Sequence, residues 1–214
     1  MTNQDNKGKD DHFMNRLFGP DRDEVWKKLS TELNANFVDG GVWQTSKVEV
    51  SHGPWTVTLD AFIVQAKDAP LPYTRMRAPY VNSGGFRFSL QRRSFMHDLA
   101  VKLGGMQDIQ VGHKDFDDAF IVSASSEEKI KELLASDRIR DLLMAQPQIV
   151  LSVKDDEGWF GPKFPDGVDE LRFVCGGHIT DMDRLKALFD LFAETLDRLC
   201  EIGTATEAPP QVKL

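Results

Sequence analysis

The chain has 214 residues, of which 41% are hydrophobic, and this length and composition can bury one substantial core. It carries 34 acidic and 26 basic residues, and the formal net charge of -8 repels phosphate backbones and anionic membrane surfaces. We therefore expect no nucleic-acid partner, and because no apolar run is long enough to span a bilayer, we expect no membrane insertion. The two cysteines, Cys175 and Cys200, are too few for a disulfide framework and are typical of a reducing, cytoplasmic compartment.

Segments without hydrophobic periodicity lie at both ends of the chain. Residues 1–12 are polar, carry charges of both signs and offer little to bury, so we expect a disordered tail. Residues 204–214 contain a Pro-Pro pair and no period, so we expect a second flexible tail. A single domain is predicted between them, at residues 13–203.

Helix and strand signals alternate in the first half of the domain. Asp21 and Glu24 have the spacing of a capping box at the start of a first helix. Period-two alternation then predicts strands near 47–51, 55–60, 73–80 and 86–91. The turns at 52–54 and 81–85 are rich in residues that accept left-handed conformations, so we expect two hairpins joined in an antiparallel meander.

The second half begins and ends with helical patterns. We predict helices at 94–103, after a capping Ser125, after a capping Asp137, and after a capping Thr180. Strands at 149–153 and 171–174 are expected to form another antiparallel pair. The last helix has an apolar stripe too short for a sustained heptad pattern, and we expect it to pack on the chain's own sheet. The stripe consists of Leu185, Leu188, Phe189, Phe192, Leu196 and Leu199.

These elements predict an α+β fold. Its sheet is antiparallel with about six strands, the helices pack on one face, and a long amphipathic helix ends the domain.

No coherent catalytic set appears in the sequence. The segment from Cys175 to His178 contains a thiol and an imidazole, but no second ligand pair accompanies it, and a strand end followed by a glycine turn is the better interpretation. The other histidines are scattered, and the standard hydrolase, zinc-protease and nucleotide-binding motifs are missing. We therefore expect no catalytic residues, no metal site and no cofactor.

Five arginines fall on the predicted second hairpin of this acidic chain: Arg75, Arg77, Arg87, Arg92 and Arg93. Arg75 and Arg77 share a strand face by parity, and a suitable register brings Arg87 beside them. Guanidinium groups suit carboxylates and phosphates, so these three are the candidate residues for an anionic ligand or partner. The alternative is a solvated face on which the arginines pair with Glu49 and Asp60 across strands.

An aromatic loop is a second candidate surface. Trp159, Phe160 and Phe164 lie among acids, prolines and glycines between the last two predicted strands. If these side chains are exposed, they are natural anchors of a protein interface. If they fold back, they form a satellite cluster that covers the sheet.

Residues 115–153 carry a family resemblance. The segment contains an F-x-x-x-F-x-V pattern from Phe116 to Val122, followed by a capped helix with Ile130 and Leu133. It resembles the soluble module of an uncharacterised bacterial protein family, a domain of unknown function. The resemblance implies a bacterial origin, but it implies no activity and supplies no catalytic residues.

The sequence therefore favours a noncatalytic binding or protein-interaction module, with a protein or an anionic small molecule as partner. The alternative is a small-molecule carrier or an enzyme with a pocket between the sheet and the C-terminal helix.

Overall fold

A computed structural model describes residues 20–41, 45–66, 69–95, 108–155, 164–212 and 214. The strands in chain order are β1 (Asn36–Val38), β2 (Lys47–His52), β3 (Trp55–Gln65), β4 (Pro70–Val81), β5 (Phe88–Arg92), β6 (Phe120–Ala124), β7 (Val150–Lys154) and β8 (Val168–Gly176). The helices are α1 (Pro20–Glu32), α2 (Lys114–Ala119), α3 (Glu127–Leu134), α4 (Asp137–Met144) and α5 (Met182–Glu201). A 3-10 turn follows β5 at Arg93–Phe95.

All eight described strands belong to one antiparallel sheet, in the order β1-β2-β3-β4-β8-β7-β5-β6. The predicted antiparallel α+β class is confirmed, but the expected count of about six strands is too low. β1 has three residues, too few to show an alternation, and β6 begins directly where α2 ends, which hides its boundary.

The predicted meander is correct for its first half and wrong for its second. β2 and β3 form the expected hairpin, and β7 pairs with β8 as predicted. β4 and β5, however, are not neighbours, because β8 and β7 lie between them. The side chain of Asn82, directly after β4, bonds to the backbone of Phe86 and to the carboxylate of Asp169 on β8. The turn is therefore anchored to β8, and the chain leaves it without pairing β5 to β4.

One face of the sheet is apolar and carries the helices. Cross-strand partners project to the same side of a sheet, so the register places Leu59, Met76, Phe173 and Leu151 together on this face. The Trp26 indole of α1 donates a 3.2 Å hydrogen bond to the carbonyl of Ile179, just before α5. These strand residues join the buried residues of α1 and α3 to α5 in one apolar cluster, which fixes the helices against this face.

The long C-terminal helix packs on the chain's own sheet, as the stripe predicts. All six predicted stripe residues are buried, and Leu191 and Thr195 are buried as well, because α4 and α1 also contact the helix. Among the helices of the described ranges, none combines the length and the apolar character needed to cross a bilayer.

Three predicted helix caps are displaced by one residue. The N-caps are Ser126, Ser136 and Asp181, whose side chains accept from backbone N–H groups three positions on. In each case the sequence predicts an adjacent residue that can also cap a helix: Ser125, Asp137 or Thr180. Local preference cannot choose between adjacent capping residues, because the choice depends on the angle at which the chain enters the helix.

The structure describes none of residues 1–12 and little of 94–103, but it describes the segment that follows α5. Residues 1–12 and most of the predicted helix at 94–103 lie outside the described residues. The segment expected to be a flexible tail from residue 204 starts with packed residues: Thr204 and Ala205 are buried, and Thr206 forms a β-bridge with Val81. The Thr204 hydroxyl donates to the carbonyl of Leu199, so this start of the segment is held by the end of α5.

Candidate anion-binding site

The sheet face opposite the helices carries a row of polar residues that crosses all eight described strands. Each member is the cross-strand partner of the next, so their side chains project to the same side. In strand order the row is Asn36, Glu49, Thr58, Arg77, Arg172, Ser152, Ser89 and Ser123. We call this sequence of residues the polar row.

Two arginines face each other at the centre of the polar row. Arg77 on β4 is the direct partner of Arg172 on β8, and the flanking Thr58 and Ser152 are small, polar and buried. Like charges directly opposite each other destabilise a sheet unless other charges balance them. The pair therefore depends on the groups around it.

Asp60 on β3 supplies part of this balance. Its carboxylate accepts two 2.8 Å hydrogen bonds from the Arg75 guanidinium, in the bidentate geometry that suits this pair, and it also pairs with Arg77. Only 6% of Asp60 is exposed. Arg75 also stacks over the ring of Phe62 at 5.2 Å. Asp60 thus draws both β4 arginines toward β3.

Glu170 lies beside Arg172 on β8 and is fully buried, and neither of its carboxylate oxygens has a hydrogen-bond partner within the described part of the chain. Burial raises the pKa of Glu170 to about 7, against the opposing attraction of Arg77, Arg172 and Arg75. Burial likewise lowers the pKa of the Arg172 guanidinium, which Glu170 partly offsets. Among the described residues, three arginines of this cluster stand beside Asp60 and Glu170, and these five side chains together carry a net charge of +1, or +2 when Glu170 is protonated.

The Glu170 carboxyl makes stability depend on pH. The pKa of Glu170 is raised from 4.5 to about 7 in the folded protein, so folding favours the protonated carboxyl. The stabilisation that this protonation gives the folded state is fully present below pH 4.5 and is lost as the pH rises through about 7. We expect the free energy of unfolding to fall by roughly 3 kcal/mol at most across this window. In Glu170→Gln this part of the decline should disappear, as measured by urea unfolding from pH 5 to pH 8.

A matched control exists in Glu194→Gln, which changes an exposed side chain of α5 and should leave the decline unchanged. An identical pH dependence in wild type and Glu170→Gln would show that this carboxyl titrates normally in the folded protein.

The structure brings together two of the three predicted arginines and separates the third. Arg75 and Arg77 share a face as predicted, and Asp60 is their common partner; the alternative interpretation included this pairing, but the two arginines are largely buried and not on a solvated face. Arg87 directly precedes β5 and is half exposed, and Asp169 and Asp155 bind it. The hydrogen bond to Asp169 raises the pKa of Arg87. The expectation that one hairpin holds all three is wrong, because β4 and β5 are not paired.

The remaining two arginines of that predicted hairpin have structural contacts. Arg92 donates to the carbonyls of Met144 and Gln146 at 2.9 and 2.8 Å, where α4 ends. Arg93 pairs with Asp108. Neither arginine belongs to the polar row.

The aromatic loop is described only at its end. Trp159 and Phe160 lie outside the described residues, and Phe164 is partly exposed ahead of β8. An interface at this loop stays a prediction.

The Cys175–His178 segment has the structure of a strand end and turn. Cys175 is buried at the end of β8 on the helix-covered face, and Gly177 adopts a φ of +78°. Burial raises the pKa of the Cys175 thiol to about 11, so the thiolate required of a nucleophile or metal ligand is disfavoured. Within the described ranges, no group of three or more His, Cys, Asp or Glu residues is placed to hold a metal ion.

Sequence reasoning missed Glu170 and Arg172 as members of the site. Their alternation with Leu171 and Phe173 is visible in the sequence and places both on one strand face. No local pattern indicates that this strand lies beside β4, however, and only that neighbourhood brings Arg172 opposite Arg77.

Comparisons of the chain with protein-family models, with curated proteins and with solved structures found no match. The charges and contacts of the site itself therefore carry the functional argument.

Proposed function

We propose that this protein is a noncatalytic binding module that takes an anionic small molecule at Arg77 and Arg172. The observation that carries the proposal is the direct opposition of these two arginines in the middle of the polar row. An anion between them would replace their mutual repulsion by two charge-assisted contacts.

The electrostatics of the site support an anion in particular. The chain as a whole is negative, at -8, yet the cluster of Asp60, Arg75, Arg77, Glu170 and Arg172 is positive. Arginine forks match the geometry of carboxylates and phosphates. Burial lowers the effective dielectric, so an anion there is attracted more strongly than at an exposed arginine. Proton uptake by Glu170 would strengthen the attraction further.

The helix-covered face favours this reading over a pocket beneath the C-terminal helix. Leu188, Phe192 and Leu196 of α5 are fully buried and belong to one apolar cluster with Met76 and Phe173 of the sheet. Side chains packed in this way form a core.

The two cysteines, both free, are consistent with a reducing cytoplasm. Together with the resemblance around residues 115–153, they lead us to infer a bacterial cytoplasmic protein.

The test is a calorimetric titration of the wild-type protein and Arg172→Gln with inorganic phosphate and with citrate. Arg172 is the informative position because the ion pairs of Asp60 go to Arg75 and Arg77, so the substitution of Arg172 leaves those pairs in place. Losing one charge-assisted contact is expected to weaken binding about tenfold to a hundredfold.

Arg138→Gln is the matched control, because Arg138 forms an exposed pair with Asp190 on the helical side and should not affect binding. A thermal melt of each variant establishes that it is folded. Equal affinities in wild type and folded Arg172→Gln, or no binding of either anion to the wild type, would contradict the proposed function.

A further inference from the structure

Next to the charged cluster, on the same sheet face, lies an apolar surface. Phe62 on β3 and Tyr73 on β4 are cross-strand partners whose rings stack with centroids 5.4 Å apart. Val64 and Leu71 are also cross-strand partners, one step further toward the β3–β4 turn. We call these four residues the apolar ladder. Its members have the same parity as Asp60, Arg75 and Arg77, so the ladder continues directly from the arginines.

Exposure stays low from Arg77 to Tyr73, which is 8% exposed, and rises only at the last pair of the ladder. The Arg77 side chain is 7% exposed and the Arg75 side chain 16%, whereas Leu71 is 45% and Val64 41% exposed. Val64 and Leu71 are the large hydrophobic residues that stand exposed in the described part of the chain. The charged end of this face is therefore enclosed, and the apolar end opens to solvent.

Contacts along the strand link the two ends. Arg75 bonds to Asp60 on the charged side and stacks on Phe62 on the apolar side. On β8, Gly176 stands opposite Tyr73 and places no side chain of its own beside the Tyr73 ring. Tyr73 and Leu71 precede Arg77 by four and six residues, about 13 and 20 Å along the strand at roughly 3.3 Å per residue.

We infer that the ligand of the proposed anion site is an amphiphilic anion, a single molecule with a carboxylate or phosphate head and an apolar chain. The head lies at Arg77 and Arg172, and the chain follows the apolar ladder toward Leu71. This inference rests on the proposed function, because it assigns the rest of the ligand whose anionic group that function requires. The charge complementarity of the arginines selects the head, and the exposed Val64–Leu71 pair marks where the chain emerges.

Three probes separate the contributions of head and chain. Methyl phosphate has the head alone, dodecyl maltoside has the chain without a charge, and dodecyl phosphate has both. Each is titrated calorimetrically into the full-length protein below the concentration at which it forms micelles. Dodecyl phosphate is expected to bind at least roughly tenfold more tightly than methyl phosphate, since burying even two or three methylene groups has this effect. Dodecyl maltoside is expected to bind more weakly than dodecyl phosphate.

Variants assign the contributions to the two ends of the face. The double variant Val64→Ser, Leu71→Ser changes exposed side chains and should remove part of the advantage of dodecyl phosphate, from the end of its chain, without changing methyl phosphate binding. Arg172→Gln should weaken the binding of both methyl phosphate and dodecyl phosphate. Ile121→Ser is the control. Ile121 lies on the same face but on β6, at the far edge of the sheet, so its replacement should change the binding of neither phosphate.

The outcomes distinguish this inference from the proposed function. Equal affinities for the two phosphates would overturn the inference and leave an anion site. Binding of dodecyl maltoside as tight as that of dodecyl phosphate would overturn it in favour of an apolar patch. A wild-type protein that binds neither phosphate would overturn the proposed function itself.

Discussion

Replacing Asp60 with asparagine is expected to lower the free energy of unfolding by about 3 to 5 kcal/mol, because a buried carboxylate shared by two arginines is lost. The substitution keeps the shape of the side chain. It removes the charge that accepts the bidentate hydrogen bonds of Arg75 and the contact from Arg77. Urea unfolding at neutral pH measures the change.

The control for this prediction is Asp190→Asn. Asp190 pairs with Arg138 at 3.1 Å, but both side chains are more than half exposed, and such pairs contribute less than about 1 kcal/mol. Similar losses in the two variants would mean that the Asp60 cluster is solvated in the folded protein. A folded Asp60→Asn protein should also bind phosphate more tightly, since the cluster then carries one more net positive charge.

Replacing Phe192 with alanine is expected to cost about 3 to 5 kcal/mol of unfolding free energy, the usual range for a large side chain removed from a packed core. Phe192 lies in the middle of α5, is fully buried and belongs to the apolar cluster shared by the helices and the sheet. The cost combines lost apolar burial with the cavity that remains. Thermal and urea unfolding of the variant both report it.

Glu194→Ala is the companion variant on the same helix. Its side chain is exposed, and alanine favours helix, so we expect a change within about 0.5 kcal/mol. If Phe192→Ala were as mild as Glu194→Ala, the C-terminal helix would not be packed on the sheet in solution.

The local elements of the fold were predictable because their signals are local. The β2–β3 hairpin follows from alternation on both sides of a turn in which Gly53 adopts a φ of +54°. The stripe of α5 follows from a 3.6-residue period. The same reasoning failed by one residue at the caps, where Ser125 stands next to Ser126 and both side chains can accept the same kind of hydrogen bond.

The candidate site was predictable only in part. Parity alone places Arg75 and Arg77 on one face, and the structure agrees. The sequence places Arg87 beside them only if consecutive strands pair, which holds for most short connections but not for β4 and β5. The assumption therefore includes Arg87, which binds Asp169, and omits Arg172.

The sequence by itself determined which residues share a strand face or a helix face, because side-chain direction repeats every two residues in a strand and every 3.6 in a helix. It thereby determined that the strands have an apolar face and that α5 has an apolar stripe suited to cover one. Only the tertiary structure decided that β8 lies between β4 and β7, since strand order depends on how the whole apolar face is buried beneath the helices. That order places Arg172 opposite Arg77 and Glu170 beside them, and so creates the candidate site.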